Sequence, residues 1–292
     1  TENDPPPSWP EHGEIDVKGL ALRYAEDLPL VIKGISFHVT PGEKVGVVGR
    51  TGAGKSTIIT SFFRFIEPDN GSIIIDGVDI GKIGLKALRK GLAIIPQEPT
   101  LFTGTLRSNL DMFNESRDID IFESMRRVGL ISKDEFNRLS SLLENGESLE
   151  ALHKQNKDNQ ENSNKFLDLE AEVTENGGNL SQGERQLICL ARSLLKHPKI
   201  LLLDEATASI DYETDSKIQT TIREEFSTST ILTIAHRLKT IIDYDKILVL
   251  DHGNVKEYDH PYKLITKKDS QFKSMCQDTG EFEELSRLAK EA

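Results

Sequence analysis

Nine consecutive residues, Gly49-Arg50-Thr51-Gly52-Ala53-Gly54-Lys55-Ser56-Thr57, join a glycine-rich run to a lysine and two hydroxyls. The first eight fit the pattern Gly-x-x-x-x-Gly-Lys-Ser/Thr. They follow a short apolar run at 45–48 and precede Ile58, Ile59, Phe62, Phe63 and Ile66, spaced as one face of a helix. Glycines at 49, 52 and 54 let backbone amides curl around an anion with no Cβ in the way. The dipole of the helix that follows favours negative charge at the same place. Lys55 would bridge outer phosphates, and the Ser56 hydroxyl would ligand a magnesium ion. Residues 49–57 therefore read as a cradle for the phosphates of ATP.

A second chemical cluster lies far along the chain in Ile200-Leu201-Leu202-Leu203-Asp204-Glu205. Four apolar residues make a buried strand, and the two acids emerge at its C-terminal end, where open α/β sheets bind ligands. Asp204 would hold Mg²⁺ through its water shell, and Glu205 would polarise an attacking water. Ser56 and Asp204 form the expected metal environment, and Gln97 lies just beyond the strand predicted at 92–95.

A third segment, Asn179-Leu180-Ser181-Gln182-Gly183-Glu184, opens a helix carrying Leu187, Leu190, Ala191, Leu194 and Leu195 and stopped by Pro198. Ser181 and Glu184 have capping-box spacing. Residues 180–184 also resemble the Leu-Ser-Gly-Gly-Gln signature of ABC transporters, with Gln182 for the first glycine and Glu184 for the glutamine. Other positions match that family one by one. Gln97 is similar to its Q-loop glutamine, which implies a third contact to Mg²⁺ beside Ser56 and Asp204; Ala208-Ser209-Ile210-Asp211 is similar to its D-loop, and His236 to its switch histidine. Tyr24 resembles the aromatic that stacks on adenine. The opening Trp9-Pro10-Glu11-His12-Gly13-Glu14-Ile15 resembles the second nucleotide-binding domain of C-subfamily, multidrug-resistance-associated exporters. The segments 211–215 and 235–240 and a polar insertion look closest to fungal members of the oligomycin-resistance type.

The resemblance covers about residues 9–268, and it implies a catalytic set of Glu205, His236 and Gln97. It also implies a partner: a second nucleotide-binding domain that closes over the nucleotide. Ser181 and Gly183 would grip the γ-phosphate held by that partner, where the charge of Glu184 would serve poorly. Transmembrane domains would be contacted through the Gln97 region, placing the chain on the cytosolic face of a plasma or vacuolar membrane. A channel-gating or regulatory cassette shares every one of these binding residues and stays open as an alternative. So does a soluble, non-transport ABC ATPase, whereas the intact set of Asp204, Glu205 and His236 argues against a non-catalytic nucleotide-binding module.

The elements that must position these residues follow from composition and periodicity. The chain has 292 residues and a net charge of −12, with 48 acidic against 36 basic side chains. That balance argues against a broad nucleic-acid footprint. Two cysteines, Cys189 and Cys276, supply neither a disulfide framework nor a zinc spacing. The longest apolar runs fall well short of the roughly 20 residues that span a bilayer, so membrane attachment would come through the rest of a transporter. Period-two alternation at Ile15/Val17, Leu20/Leu22/Tyr24 and Ile35/Phe37/Val39 predicts antiparallel strands. Apolar strands at 73–75, 92–95, 200–203 and 231–235 alternate with helices, and a hairpin is expected at 247–258.

The expected fold is α/β: a RecA-like, mostly parallel sheet with an N-terminal antiparallel β subdomain and an inserted α-helical subdomain. We expect a linker at 1–13 and an ATPase domain at 14–268. Within it, a helical subdomain at about 97–195 would contain a flexible polar insertion at about 140–165. A C-terminal helical tail would occupy 269–292.

Overall fold

The computed structural model describes residues 2–50, 54–150, 154, 164–205 and 211–292. The chain divides into two compact units, one of residues 1–97, 198–207 and 227–292, the other of residues 98–197 and 208–226.

The first unit opens with β1 (Ile15–Leu22) and β2 (Ile32–Val39), followed by β3 (Lys44–Gly49), β4 (Asn70–Ile75), β5 (Val78–Asp79) and β6 (Ala93–Ile95). An antiparallel sheet runs in the order β2-β1-β4-β5. The apolar positions of β1 change phase, from odd at Ile15 and Val17 to even at Leu20 and Leu22. A register shift between Val17 and Leu20 absorbs the change, so all four side chains are buried. Tyr24, expected to continue this strand, falls beyond its end.

The second sheet takes its other strands from later in the chain. After β7 (Gly104–Thr105) and β8 (Glu172–Val173), which belong to the second unit, come β9 (Ile200–Asp204), β10 (Thr230–Ile234), β11 (Lys246–Asp251) and β12 (Asn254–Asp259). Among the described residues the order is β12-β11-β3-β10-β9-β6. The five strands from β11 to β6 are parallel, and β12 returns antiparallel as the second arm of the expected hairpin.

Both faces of this sheet are covered, which is why its strands read as unbroken apolar runs. In β11, Leu248 and Leu250 join the core shared with β1, β2 and the helix Lys55–Phe62, whereas Ile247 and Val249 face the opposite way. That opposite face is closed by the C-terminal helices Gln271–Asp278 and Phe282–Glu291, through Phe272, Cys276, Leu285 and Ala289. Full burial of a side chain such as Phe272 contributes about 1.5–3 kcal/mol. The segment after 268 is helical and completes the core.

The N-terminal residues expected to be a linker also make buried contacts. Trp9 is 8% exposed, and its indole N–H donates to the Ile75 carbonyl at 3.0 Å. The Asp76 carboxylate accepts backbone N–H groups from His12, Gly13 and Glu14. At least residues 9–14 are thus fastened to the antiparallel sheet by a buried aromatic and a charged hydrogen-bond clamp.

The second unit holds the short β7–β8 ladder and the helices Leu106–Leu110, Asp118–Arg127, Lys133–Glu144, Gln182–Leu195 and Tyr212–Glu225. Its boundaries differ from the expected 97–195 because Tyr212–Glu225 joins it, tied to the helix Asp118–Arg127 by the Arg127–Glu225 ion pair at 2.5 Å. The helix Lys133–Glu144 takes in residues 140–144, placed in the polar insertion from composition. Ser132 and Glu135 form its capping box, and buried Leu139 anchors it. Residues 151–153 and 155–163 of that insertion lie outside the described residues. No helix among the described residues is long and apolar enough to cross a membrane.

Candidate nucleotide-binding site

The parallel register brings four strand ends to one edge of the large sheet. Val47 pairs with Ile234, Ile234 with Asp204, and Leu203 with Ile95. The residues following β3, β10, β9 and β6 are thus Lys55 and Ser56, His236, Glu205, and Gln97. They share this edge because parallel neighbours in register must end together.

Gly49 closes β3, and the helix Lys55–Phe62 begins after Gly54. Gly54 has φ 88°, and a Cβ there would lie 2.7 Å from Ile32 Cδ1 and 2.9 Å from Val31 Cγ1. Both the left-handed backbone and the close packing require glycine. Thr51, Gly52 and Ala53 lie outside the described residues. Lys55 is half-buried; desolvation lowers its pKa, while Asp204 and Glu205 pull it back up.

Asp204 is also squeezed by its surroundings. Burial raises its pKa, opposed by a hydrogen bond from the Ser56 hydroxyl and by the fields of His236 and Lys55. His236 Nε2 stands 3.9 Å from Asp204 Oδ1, too far for a hydrogen bond. That Oδ1 atom is buried and has no hydrogen-bond partner. A buried, unpaired carboxylate oxygen beside a hydroxyl is the donor set a hard divalent cation and its water shell take up, so the residues fit the magnesium expected from sequence.

Glu205 behaves differently although it is adjacent. It is 3% exposed, and Oε2 accepts the backbone N–H groups of His236 at 2.7 Å and Arg237 at 3.0 Å. Its Oε1 accepts the Thr240 hydroxyl at 2.6 Å. Thr240 and these two amides were not singled out from sequence. No residue type or spacing announces them, since the contact forms between the end of β9 and the segment that follows β10, including the helix Leu238–Ile241.

Tyr24 is 63% exposed, and its hydroxyl shares a hydrogen bond of 2.8 Å with Thr57 Oγ1, next to the phosphate loop. Gln97 is exposed two residues beyond β6.

Ser181 and Gly183 belong to the second unit and are described within it. Ser181 caps the helix Gln182–Leu195, its hydroxyl accepting from the Glu184 amide at 3.1 Å while Glu184 Oε1 accepts from the Ser181 amide at 2.9 Å. A Cβ on Gly183 would stand 2.6 Å from Thr214 Cγ2, so this glycine also permits close packing on the helix Tyr212–Glu225. Glu184 does not carry a bare charge: Lys165 Nζ lies 2.9 Å from its Oε2. Burial opposes ionisation of Glu184, yet the Ser181 amide and Lys165 hold its pKa below the usual value. Residues 208–210 of the D-loop match lie outside the described residues, and Asp211 caps the helix that follows them.

A family model described as ABC transporter matches residues 32–208, spanning the phosphate loop, the capped helix and the acidic strand end. The chain belongs to the ABC transporter family. ABC ATPase domains bind ATP, and the relatives of this one are ATP-dependent transporters. The chain is 58% identical over 288 residues to the ATP-dependent bile acid permease of Saccharomyces cerevisiae, which covers 99% of the chain and 17% of that protein. It is 49% identical over 281 residues to the oligomycin resistance ATP-dependent permease of the same yeast, covering 96% of the chain and 18% of that protein. ABC transporter C family member 3 of Dictyostelium discoideum is 48% identical over 279 residues, again with 96% and 18% covered. The chain thus spans under a fifth of the length of these relatives. Among solved structures, a bacterial Atm1-family ABC exporter with ATP bound matches with a TM-score of 0.74 and 31% identity. That match covers 92% of this chain and 42% of that one. The expected α/β architecture, with an antiparallel N-terminal sheet and a mostly parallel core sheet, is borne out.

Proposed function

We propose that this domain binds MgATP on residues 49–57 and hydrolyses it in partnership with a second nucleotide-binding domain, driving efflux through transmembrane segments of the same transporter. The supporting observation is the meeting of Lys55, Ser56, Asp204, Glu205 and His236 at one sheet edge. Lys55 would neutralise the outer phosphates. Ser56, Asp204 and Gln97 would hold magnesium, which would offset negative charge on the transferring phosphoryl group when bound. Glu205 would orient the attacking water, and His236 would contact the γ-phosphate.

Tyr24 would stack on adenine, an interaction worth about 1–3 kcal/mol by analogy with base stacking. Ser181 and Gly183 would complete the site of the partner domain. ATP would hold the two domains together and its hydrolysis would release them, so transmembrane helices contacted near Gln97 would feel each cycle. The domain would then lie at the cytosolic face of a plasma or vacuolar membrane.

The test is Glu205→Gln in the full-length transporter. ATP binding is expected to persist while steady-state hydrolysis falls by about 100-fold or more, the scale of losing a general base. Turnover at a near wild-type rate would remove Glu205 from the catalytic role and overturn this reading.

A further inference from the structure

Glu205 is more buried than any other acid among the described residues, and its carboxylate is almost fully occupied. A carboxylate offers about four acceptor positions. Two on Oε2 are filled by the amides of His236 and Arg237, and one on Oε1 by the Thr240 hydroxyl. Among the described residues nothing fills the fourth position, on Oε1. The two amides pin Oε2 as a pivot, and with nothing on the other oxygen the group could twist about it. The Thr240 hydroxyl stops that twist.

The support under Thr240 is stiff. It lies in the short helix Leu238–Ile241, where Ile241 is fully buried against β3. The approach is so close that a Cβ on Gly46 would lie 2.7 Å from that side chain. Just beyond the helix, the Tyr244 hydroxyl pairs with Thr233 Oγ1 of β10 at 2.9 Å. A donor mounted on packed elements holds its acceptor in one direction better than a loop donor does.

We propose that Thr240 is a positioning residue for ATP hydrolysis: its hydroxyl fixes Oε1 of Glu205 so that the remaining lone pair faces the attacking water. This rests on the reading of Glu205 as the catalytic carboxylate. Thr240 acts through the Glu205 carboxylate, so its loss is expected to act on kcat while leaving nucleotide binding to Lys55 and residues 49–57.

The experiment compares full-length transporter carrying Thr240→Val, Thr240→Ser, Glu205→Gln, or Thr240→Val with Glu205→Gln. Steady-state ATPase kcat and KM and nucleotide binding are measured for each. Thr240→Val is expected to lower kcat by about tenfold, a fraction of the roughly 100-fold that a displaced catalytic group can cost, with KM for ATP nearly unchanged. Thr240→Ser restores the hydroxyl and most of the rate, and Thr240→Val adds nothing once Glu205 is Gln. Should the valine variant fail to fold, Thr240→Ala takes its place. An unchanged kcat, or a serine variant no faster than valine, overturns the proposal. If Glu205→Gln itself keeps wild-type turnover, the underlying reading falls instead, so the two failures are distinct.

Discussion

The backbone amide of His236 lies 2.7 Å from Glu205 Oε2, while the imidazole of the same residue stands 3.9 Å from Asp204 Oδ1. One histidine addresses two adjacent acids, one with its main chain and the other with its ring. The cause is the pairing of β9 with β10, in which Ile234 is level with Asp204 and both chains leave the sheet together. Alternation along the strand end then turns Asp204 and Glu205 to opposite sides, one toward Lys55 and Ser56, the other into the loop after β10.

Lys55→Ala is expected to weaken ATP binding by about tenfold or more. Charge-assisted hydrogen bonds contribute roughly 1.5–3 kcal/mol, and Lys55 is already partly desolvated beside Asp204 and Glu205. Equilibrium binding of ATP measures the change. Wild-type affinity in the alanine variant would take the lysine out of the nucleotide site.

Lys165 pairs with Glu184, so on the proposed function Lys165→Met should weaken ATP-dependent association with a second nucleotide-binding domain by a few-fold. Glu184→Gln should suppress that effect, because glutamine keeps the capping acceptor without the charge. Both side chains reach solvent, at 51% and 28% exposure, so the coupling should shrink at high salt. ATP-dependent cross-linking of the domains reads it out, and equal effects of Lys165→Met in both backgrounds would exclude charge pairing.

Asp76→Asn should destabilise the fold by about 1–2 kcal/mol at neutral pH, the scale of weakened charged hydrogen bonds. Burial raises the Asp76 pKa, but the amides of His12, Glu14 and Gly13 outweigh it and hold the folded value below the ordinary one. A depressed folded pKa contributes stability above the unfolded value of about 3.9 and loses it as pH falls through the folded value. The gap between wild type and variant, measured by denaturant unfolding, should therefore close below about pH 4. A gap equally wide at pH 3 and pH 7 would show that the charge is not its source.

Neither cysteine should react with a disulfide-exchange reagent at pH 8 while the chain is folded. Burial pushes the Cys276 thiol up to about 12 and raises Cys189 as well, leaving almost no thiolate. Unfolding should release both. Rapid labelling of Cys276 under native conditions would mean that the helices Gln271–Asp278 and Phe282–Glu291 open readily.

Much of the candidate site was legible because its chemistry is local in sequence. A glycine run before a lysine and a hydroxyl, or a pair of acids ending an apolar strand, declares its purpose within eight residues. Lys165 and Thr240 were illegible for the opposite reason: each acts on an acid 19 or 35 positions away, and neither departs from what a surface lysine or a helix threonine looks like. The polar insertion misled at its edge because composition weighs average polarity. The helix Lys133–Glu144 needs only its cap and one buried leucine to extend through Ser140.

By itself the sequence determined the α/β alternation, the glycine-rich turn ahead of the helix Lys55–Phe62, the acidic strand end and the capped helix, since each depends on backbone sterics and side-chain periodicity over a few turns or strands. Tertiary structure alone decided that β3, β6, β9 and β10 finish at one edge, that Trp9 and the last two helices are core, and that the two neighbouring acids enter separate hydrogen-bond networks. Those outcomes depend on which strand lies beside which, and pairing across 150 or more residues is governed by the packing of the whole sheet.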